Sequence, residues 1–190
     1  MPPSQVEEPA RVVIVEYDPS WPERFEEEGA RIRGVVGPLA VGLEHIGSTA
    51  VPGLAAKPTL DILLGIPSLE RAADLVDPLA SLGYEYVPEY EVEIPERRYF
   101  RKGPSGARTH HVHAVEHGGP FWDRHLLFRD FLRTHPRRAA EYATLKRGLA
   151  ERYGRDREGY TEAKSDFIRS IEEQALRWRA GDRASRPQPS

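Results

Sequence analysis

The chain has 190 residues and a mass of 21.5 kDa, is 39% hydrophobic and 30% charged, and carries a formal net charge of -3. That length supports one domain with a real core, no window approaches the roughly 18 uninterrupted apolar residues a membrane span needs, and the acidic balance gives no general attraction to a nucleic-acid backbone. Cysteine is absent, which removes disulfides and thiolate chemistry, and the first ten residues lack the apolar run of a secretory signal, so the cytoplasm is the expected compartment.

Residues 1–10 and 180–190 are rich in Pro, Ser and charge and read as tails around a single domain over 11–179. Val12-Val13-Ile14-Val15 is a β-branched run that predicts a strand within 11–17. Ser20-Trp21-Pro22-Glu23 follows as a capping box, and Phe25, Ile32 and Val36 continue at helical spacing until Gly37-Pro38. The stretch 44–62 reads as a strand, a Gly47-Ser48-Thr49 turn, a Gly/Pro-rich connection and a second strand that runs to about Ile66. Ser68 caps a helix with Leu69, Ala72, Val76 and Leu79, in which Pro78 predicts a break or restart.

Strands are expected over 84–87, 97–102 and 109–115, the last two as a hairpin around Gly103-Pro104-Ser105-Gly106. From Phe121 the pattern turns helical: one helix to Thr134-His135-Pro136, a second through Tyr142, Leu145, Leu149 and Tyr153 to Gly154, and a long final one from Tyr160 to Trp178. Strands first and helices last predict an α+β fold, a mixed sheet flanked by helices with C-terminal helices.

The chemistry centres on Gly47, Ser48 and Asp61. A glycine turn lets the backbone approach a ligand, hydroxyls and N–H groups beyond it bind anionic oxygens, and a carboxylate on the next strand can hold a cation. The plainer alternatives are an ordinary tight turn and a salt bridge from Asp61 to a neighbour such as Lys57. On a strand Thr59, Asp61 and Leu63 share one face, so Asp61 is the single carboxylate among them, where a metal pair needs two. In Arg97-Arg98-Tyr99-Phe100-Arg101-Lys102, alternation sends Arg98 and Lys102 to one face and Arg97 and Arg101 to the other, to grip phosphate or to guard a sheet edge. His111 and His113 share a face and suit either one ion or one anionic group.

In this order the segments Tyr17-Asp18-Pro19-Ser20-Trp21 with Phe25, residues 44–62, 97–102, 110–113 and 128–133, Tyr142 with Leu145-Lys146, and Tyr160 with Lys164 resemble the GrpB family of the nucleotidyltransferase superfamily. The resemblance implies a nucleotidyltransferase-like fold with a pocket at Gly47, Ser48 and Asp61. It further implies a nucleotide or other phosphate-bearing small molecule held by Gly47, Ser48, Thr49, Lys57, Arg98, Lys102, His111 and Lys146. Asp61 is then a catalytic carboxylate and metal ligand, for Mg²⁺ with Mn²⁺ or Zn²⁺ as alternatives, and His113 a second catalytic group. Three activities stay open: nucleotidyl transfer to an acceptor, binding without catalysis, and metal-dependent hydrolysis at the histidines.

Overall fold

In the computed structural model, which describes residues 11–185, the apolar runs of the middle of the chain form one five-stranded mixed sheet. Its strands are β1 (Gly42–Ile46), β2 (Leu60–Ile66), β3 (Tyr84–Tyr86), β4 (Arg98–Lys102) and β5 (His110–Glu116), in the order β1-β2-β5-β4-β3. Strands β2 and β5 run parallel and every other neighbouring pair is antiparallel, which includes the expected β4–β5 hairpin. The parallel register sets Asp61 beside His111 and Leu63 beside His113. The helices are α1 (Trp21–Val36), α2 (Val76–Ser81), α3 (Pro120–Thr134), α4 (Pro136–Tyr153), α5 (Arg157–Glu162) and α6 (Ser165–Ser185).

Side chains alternate across the strands and so divide the core. One face carries Ile62, Leu64, Ile66, Phe100, Val112 and Ala114, which pack with Phe25, Ile32 and Val36 of α1 and with Leu75 and Leu79. The opposite face buries Leu63 and Val115 with Ile46 under Phe121 and Trp122 of α3. The connection after β1 is pinned by Val51, Leu54 and Ala55, which pack against apolar side chains of α3, α4 and α6. Helix α3 covers this face at Ile46, Leu63 and Val115, and a cavity lies over the start of β2 and β5, at Asp61 and His111. The fold is α+β, as expected.

Several local expectations fail for identifiable reasons. Residues 11–17 form no strand: Val15 makes a single antiparallel bridge to Ala56, and Val12 packs on Leu149 and Tyr160 while its N–H donates to the Gly154 carbonyl. Val12 and Ile14 pack against helices, Val15 packs on Trp21, Ala56 and Leu60, and Val13 is exposed. The capping box is not used, because Ser20 is itself helical and its N–H donates to Asp18 Oδ1 at 2.9 Å. Ser68 does cap, accepting from the Glu70 N–H, but the segment winds as a 3₁₀ helix over Leu69–Leu75 before α2 restarts at Val76. Pro78 then lies in the first turn of α2, where its missing N–H has no intrahelical partner to lose. The final helix is two: Asp156 caps α5, and the chain turns again at Ala163-Lys164 before α6.

Helix α6 continues to Ser185, past the expected end of the domain at 179. The expected tail at 1–10 and the last five residues lie outside the described residues. Among the described residues no helix is long and apolar enough to cross a membrane.

Candidate functional site

The turn after β1 is built for close approach. Gly47 has φ +71° and ψ -171°, a conformation that essentially only glycine adopts. A Cβ added there would stand 2.4 Å from Asp61 Oδ2, so the Gly47-Ser48 peptide lies directly against the carboxylate. Ser48–Ala50 then form one 3₁₀ turn. Helix α3 braces it from behind: Arg129 Nη1 donates to Glu44 (2.7 Å) and to the His45 carbonyl (3.0 Å), and Arg133 Nε donates to the Ala50 carbonyl (2.9 Å). Burial holds His45 neutral, with its pKa down to about 4. Since the Thr49 hydroxyl spends its only proton on the Thr59 carbonyl, His45 donates to Thr49 through Nε2 at 2.9 Å.

On the floor of the cavity Asp61 Oδ1 lies 3.0 Å from His111 Nδ1 and 3.6 Å from His113 Nε2. Burial alone would raise the Asp61 pKa, but the hydrogen bonds and charges of the two imidazoles outweigh it and hold the carboxyl well below the usual range. Asp61, His111 and His113 offer one carboxylate oxygen and two ring nitrogens, all within 4.8 Å of one another. That is close enough for one cation to be held by all three. The sheet register explains the grouping, since residues 61 and 111 are direct neighbours on parallel strands and residue 113 is two further along the same face. Tyr99 on β4 closes this wall, its ring centroid 5.4 Å from both imidazoles.

The same cavity gathers a group of lysine side chains. The cavity, about 490 Å³ and open to solvent, is lined by Ser48, Lys57, Asp61, His111, Lys146 and Lys164 among others. Lys146 Nζ donates to Ser48 Oγ at 2.8 Å and to the Ala55 carbonyl at 2.5 Å, and lies 4.6 Å from the Tyr142 ring centroid. It is 3% exposed. Burial, with the charges of Lys164 and Arg147 and against that of Asp61, pushes its pKa down to about 7. Lys164, in the turn between α5 and α6, sits 4.2 Å from the Tyr160 ring centroid and is pushed by burial to about 8. Burial and Arg157 also lower Lys57. Among the described residues none of these three lysines has a carboxylate within ion-pair distance. Arg101 and Arg108 reach the same cavity, but both are tied to Glu85.

The structure thus brings together Gly47, Ser48, Lys57, Asp61, His111, His113 and Lys146 from two strands, the turn and connection between β1 and β2, and a helix. Thr49 lines the same cavity, but it is 1% exposed and both functions of its hydroxyl are taken by His45 and the Thr59 carbonyl. Arg98 and Lys102 are on the wrong face. Phe100 between them points into the core, and alternation carries its neighbours at 98 and 102 to the same side. Lys102 Nζ pairs with buried Glu28 at 2.7 Å, and Arg98 Nε pairs with Glu91 at 3.2 Å. The β4 residues that face the site are Tyr99 and Arg101. Phe100, the one wholly apolar residue of that strand, was the signal that placed them. Nothing local marks Lys164, which reaches the cavity only because the last helix is broken beside it.

The GrpB family profile, described as GrpB protein, matches residues 11–174. UPF0157 protein YqkA of Bacillus subtilis is 43% identical over 171 residues, covering 90% of this chain and 49% of its own length. UPF0157 protein PA4798 of Pseudomonas aeruginosa is 45% identical over 169 residues, covering 87% of this chain and 68% of its own. The chain therefore spans about half the length of the Bacillus relative. The crystal structure of conserved protein GrpB from Enterococcus faecalis superposes with a TM-score of 0.78 at 40% identity, over 87% of this chain and 98% of that one.

Proposed function

The chain belongs to the GrpB family, and from that footing we propose that its lysine-lined cavity binds a nucleotide or another phosphate-bearing small molecule beside a divalent cation at Asp61, His111 and His113, for transfer of a nucleotidyl group. One observation carries the reading. Three largely desolvated lysine side chains, Lys57, Lys146 and Lys164, face one cavity without carboxylate partners among the described residues. Buried charge of one sign is costly unless a counter-ion is present. A polyphosphate supplies that charge and enough oxygens for all three. Bound there, its oxygens accept from Lys57, Lys146 and Lys164 and from the Ser48 hydroxyl, while Gly47 lets the turn sit close to Asp61.

A cation held by one carboxylate and two imidazoles would neutralise phosphate charge and polarise the phosphorus centre. The donor set suits it in number and spacing, its two imidazoles suiting Zn²⁺ and its carboxylate Mn²⁺ or Mg²⁺. With Leu63 sealed under Phe121 and Trp122, this is a one-cation site, and the lysines take the place of a second positive centre. Catalysis is then positioning plus electrostatic stabilisation of developing charge.

A second reading is binding of the anion with no cation, and one feature favours it. His113 Nδ1 is buried with no hydrogen-bond partner among the described residues. Ligation through Nε2 would leave the ring proton on that atom without an acceptor. Calorimetric titration of ATP, GTP, CTP and UTP with Mn²⁺, Mg²⁺ or chelator separates the two. Saturable binding that requires the cation supports the first, binding indifferent to chelator supports the second, and no binding of any nucleotide refutes both.

A further inference from the structure

Lys146 is more than a phosphate grip would require. It is buried, lies on α4 far along the chain from Ser48, and its nitrogen is fixed by the Ala55 carbonyl at 2.5 Å while reaching Ser48 Oγ at 2.8 Å. We propose that Ser48 is a nucleophile and Lys146 the base that takes its proton, so that the protein forms a covalent nucleotidyl-serine from a nucleoside triphosphate. The proposal rests on the reading of the cavity as a nucleotide site.

The geometry matches a neutral amine as well as an ammonium. A neutral amine has two N–H donors and one lone pair. Donation to the Ala55 carbonyl anchors it, and the lone pair is free to accept the Ser48 hydroxyl. Neighbouring charges act on Lys146 in both directions: Lys164 from the α5–α6 turn and Arg147 on its own helix disfavour the ammonium, and Asp61 on β2 favours it, while the Tyr142 ring lies 4.6 Å from its nitrogen. Burial decides the balance and holds the group at about 7. A desolvated lysine beside another cation is a recognised way to keep an amine basic and unprotonated near neutral pH.

In the step itself Ser48 Oγ attacks the α-phosphorus of the triphosphate and its proton passes to Lys146 Nζ. The Oγ–P bond forms as the P–O bond to the β-phosphate breaks, and pyrophosphate leaves with that electron pair. Lys57 and Lys164 neutralise the charge on the departing group. Ser48 is suited to attack because it opens the 3₁₀ turn immediately after Gly47, whose peptide lies against Asp61.

The test uses the full chain with ATP, GTP, CTP and UTP in turn plus Mn²⁺, with intact-mass and peptide-mass spectrometry, pyrophosphate release and calorimetry on the same samples. The expected result is a nucleoside monophosphate adduct on the peptide containing Ser48, absent in Ser48→Ala and slowed about 100-fold or more in Lys146→Met. Melting curves establish that both variants fold. At saturating nucleotide the rate of adduct formation should rise with pH as Lys146 loses its proton, whereas affinity should fall over the same range as the lysines lose charge. A lysine that only grips phosphate gives the second trend without the first. Nucleotide binding without an adduct, an adduct that survives in Ser48→Ala, or a rate that falls with rising pH overturns the proposal and leaves the binding reading intact. Absence of nucleotide binding overturns both.

Discussion

Replacing Lys146 with methionine should stabilise the protein at neutral and acidic pH. The side chain is 3% exposed, and its pKa falls from 10.5 to about 7. At about 1.4 kcal/mol for each tenfold change, that difference means the folded state gives up roughly 4–5 kcal/mol when this lysine is charged. The sign follows from proton counting. Between about pH 7 and pH 10.5 the unfolded chain binds a proton that the folded chain does not, so wild-type stability rises with pH across that window and the full penalty applies below it. Methionine removes the penalty but leaves the buried Ala55 carbonyl without its donor, at a cost of about 1–3 kcal/mol. The net expectation for Lys146→Met is a gain of about 2 kcal/mol at pH 6, or about 4–8 °C in melting temperature for a chain of this size. By pH 10 the gain should vanish and reverse. Thermal and urea denaturation of both proteins at pH 6, 8 and 10 measures this. A loss of stability at pH 6, or a difference that does not change with pH, would refute the picture of a desolvated lysine held for function at the expense of stability.

Gly47→Ala should destabilise by about 2–4 kcal/mol, because the new Cβ meets Asp61 Oδ2 at 2.4 Å and φ is +71°; urea denaturation checks it, and a change under about 0.5 kcal/mol contradicts the close approach. For Asp61, burial would raise the carboxyl but the bonds from His111 and His113 prevail and depress it. Its stabilising contribution is therefore present above the ordinary carboxyl value of 3.8 and is lost as pH falls below it. Asp61→Asn should accordingly flatten the fall in stability on acidification from about pH 5 to pH 3, and parallel curves for the two proteins would argue against the pairing. Lys102→Met should cost about 2 kcal/mol, since it takes the ammonium partner from the buried Glu28 carboxylate and leaves it only the Tyr84 hydroxyl and Arg31. Nucleotide affinity should be unchanged, and a drop in calorimetric affinity would show that β4 had been assigned the wrong face.

Alternation and capping residues made much of this fold legible. Ile62 and Leu64, set against Asp61 and Leu63, declared a strand with two different faces, and Gly103 to Gly106 declared a hairpin. The site's parts were legible singly: a glycine-serine turn, one carboxylate and two alternate histidines. Their assembly was not, because Asp61 and His111 are 50 residues apart and Ser48 and Lys146 are 98 apart. Only the parallel β2–β5 register and the packing of α4 on the Val51–Ala55 connection bring them together. Residues 11–17 misled because a β-branched run reports apolar packing rather than strand pairing, and here Val12 and Ile14 pack on helices while Val15 makes a single bridge. Arg98 and Lys102 misled because a cluster of cations conceals which of its members alternation sends to the core side.

Equilibrium titration of the wild-type protein and Asp61→Asn with nucleoside triphosphates, with and without Mn²⁺, tests the central claim most directly. The expected result is saturable binding by wild type that depends on the cation and is lost or greatly weakened in a folded Asp61→Asn protein. Binding that is identical in the two proteins and indifferent to the cation, or the failure of every triphosphate to bind, would contradict it.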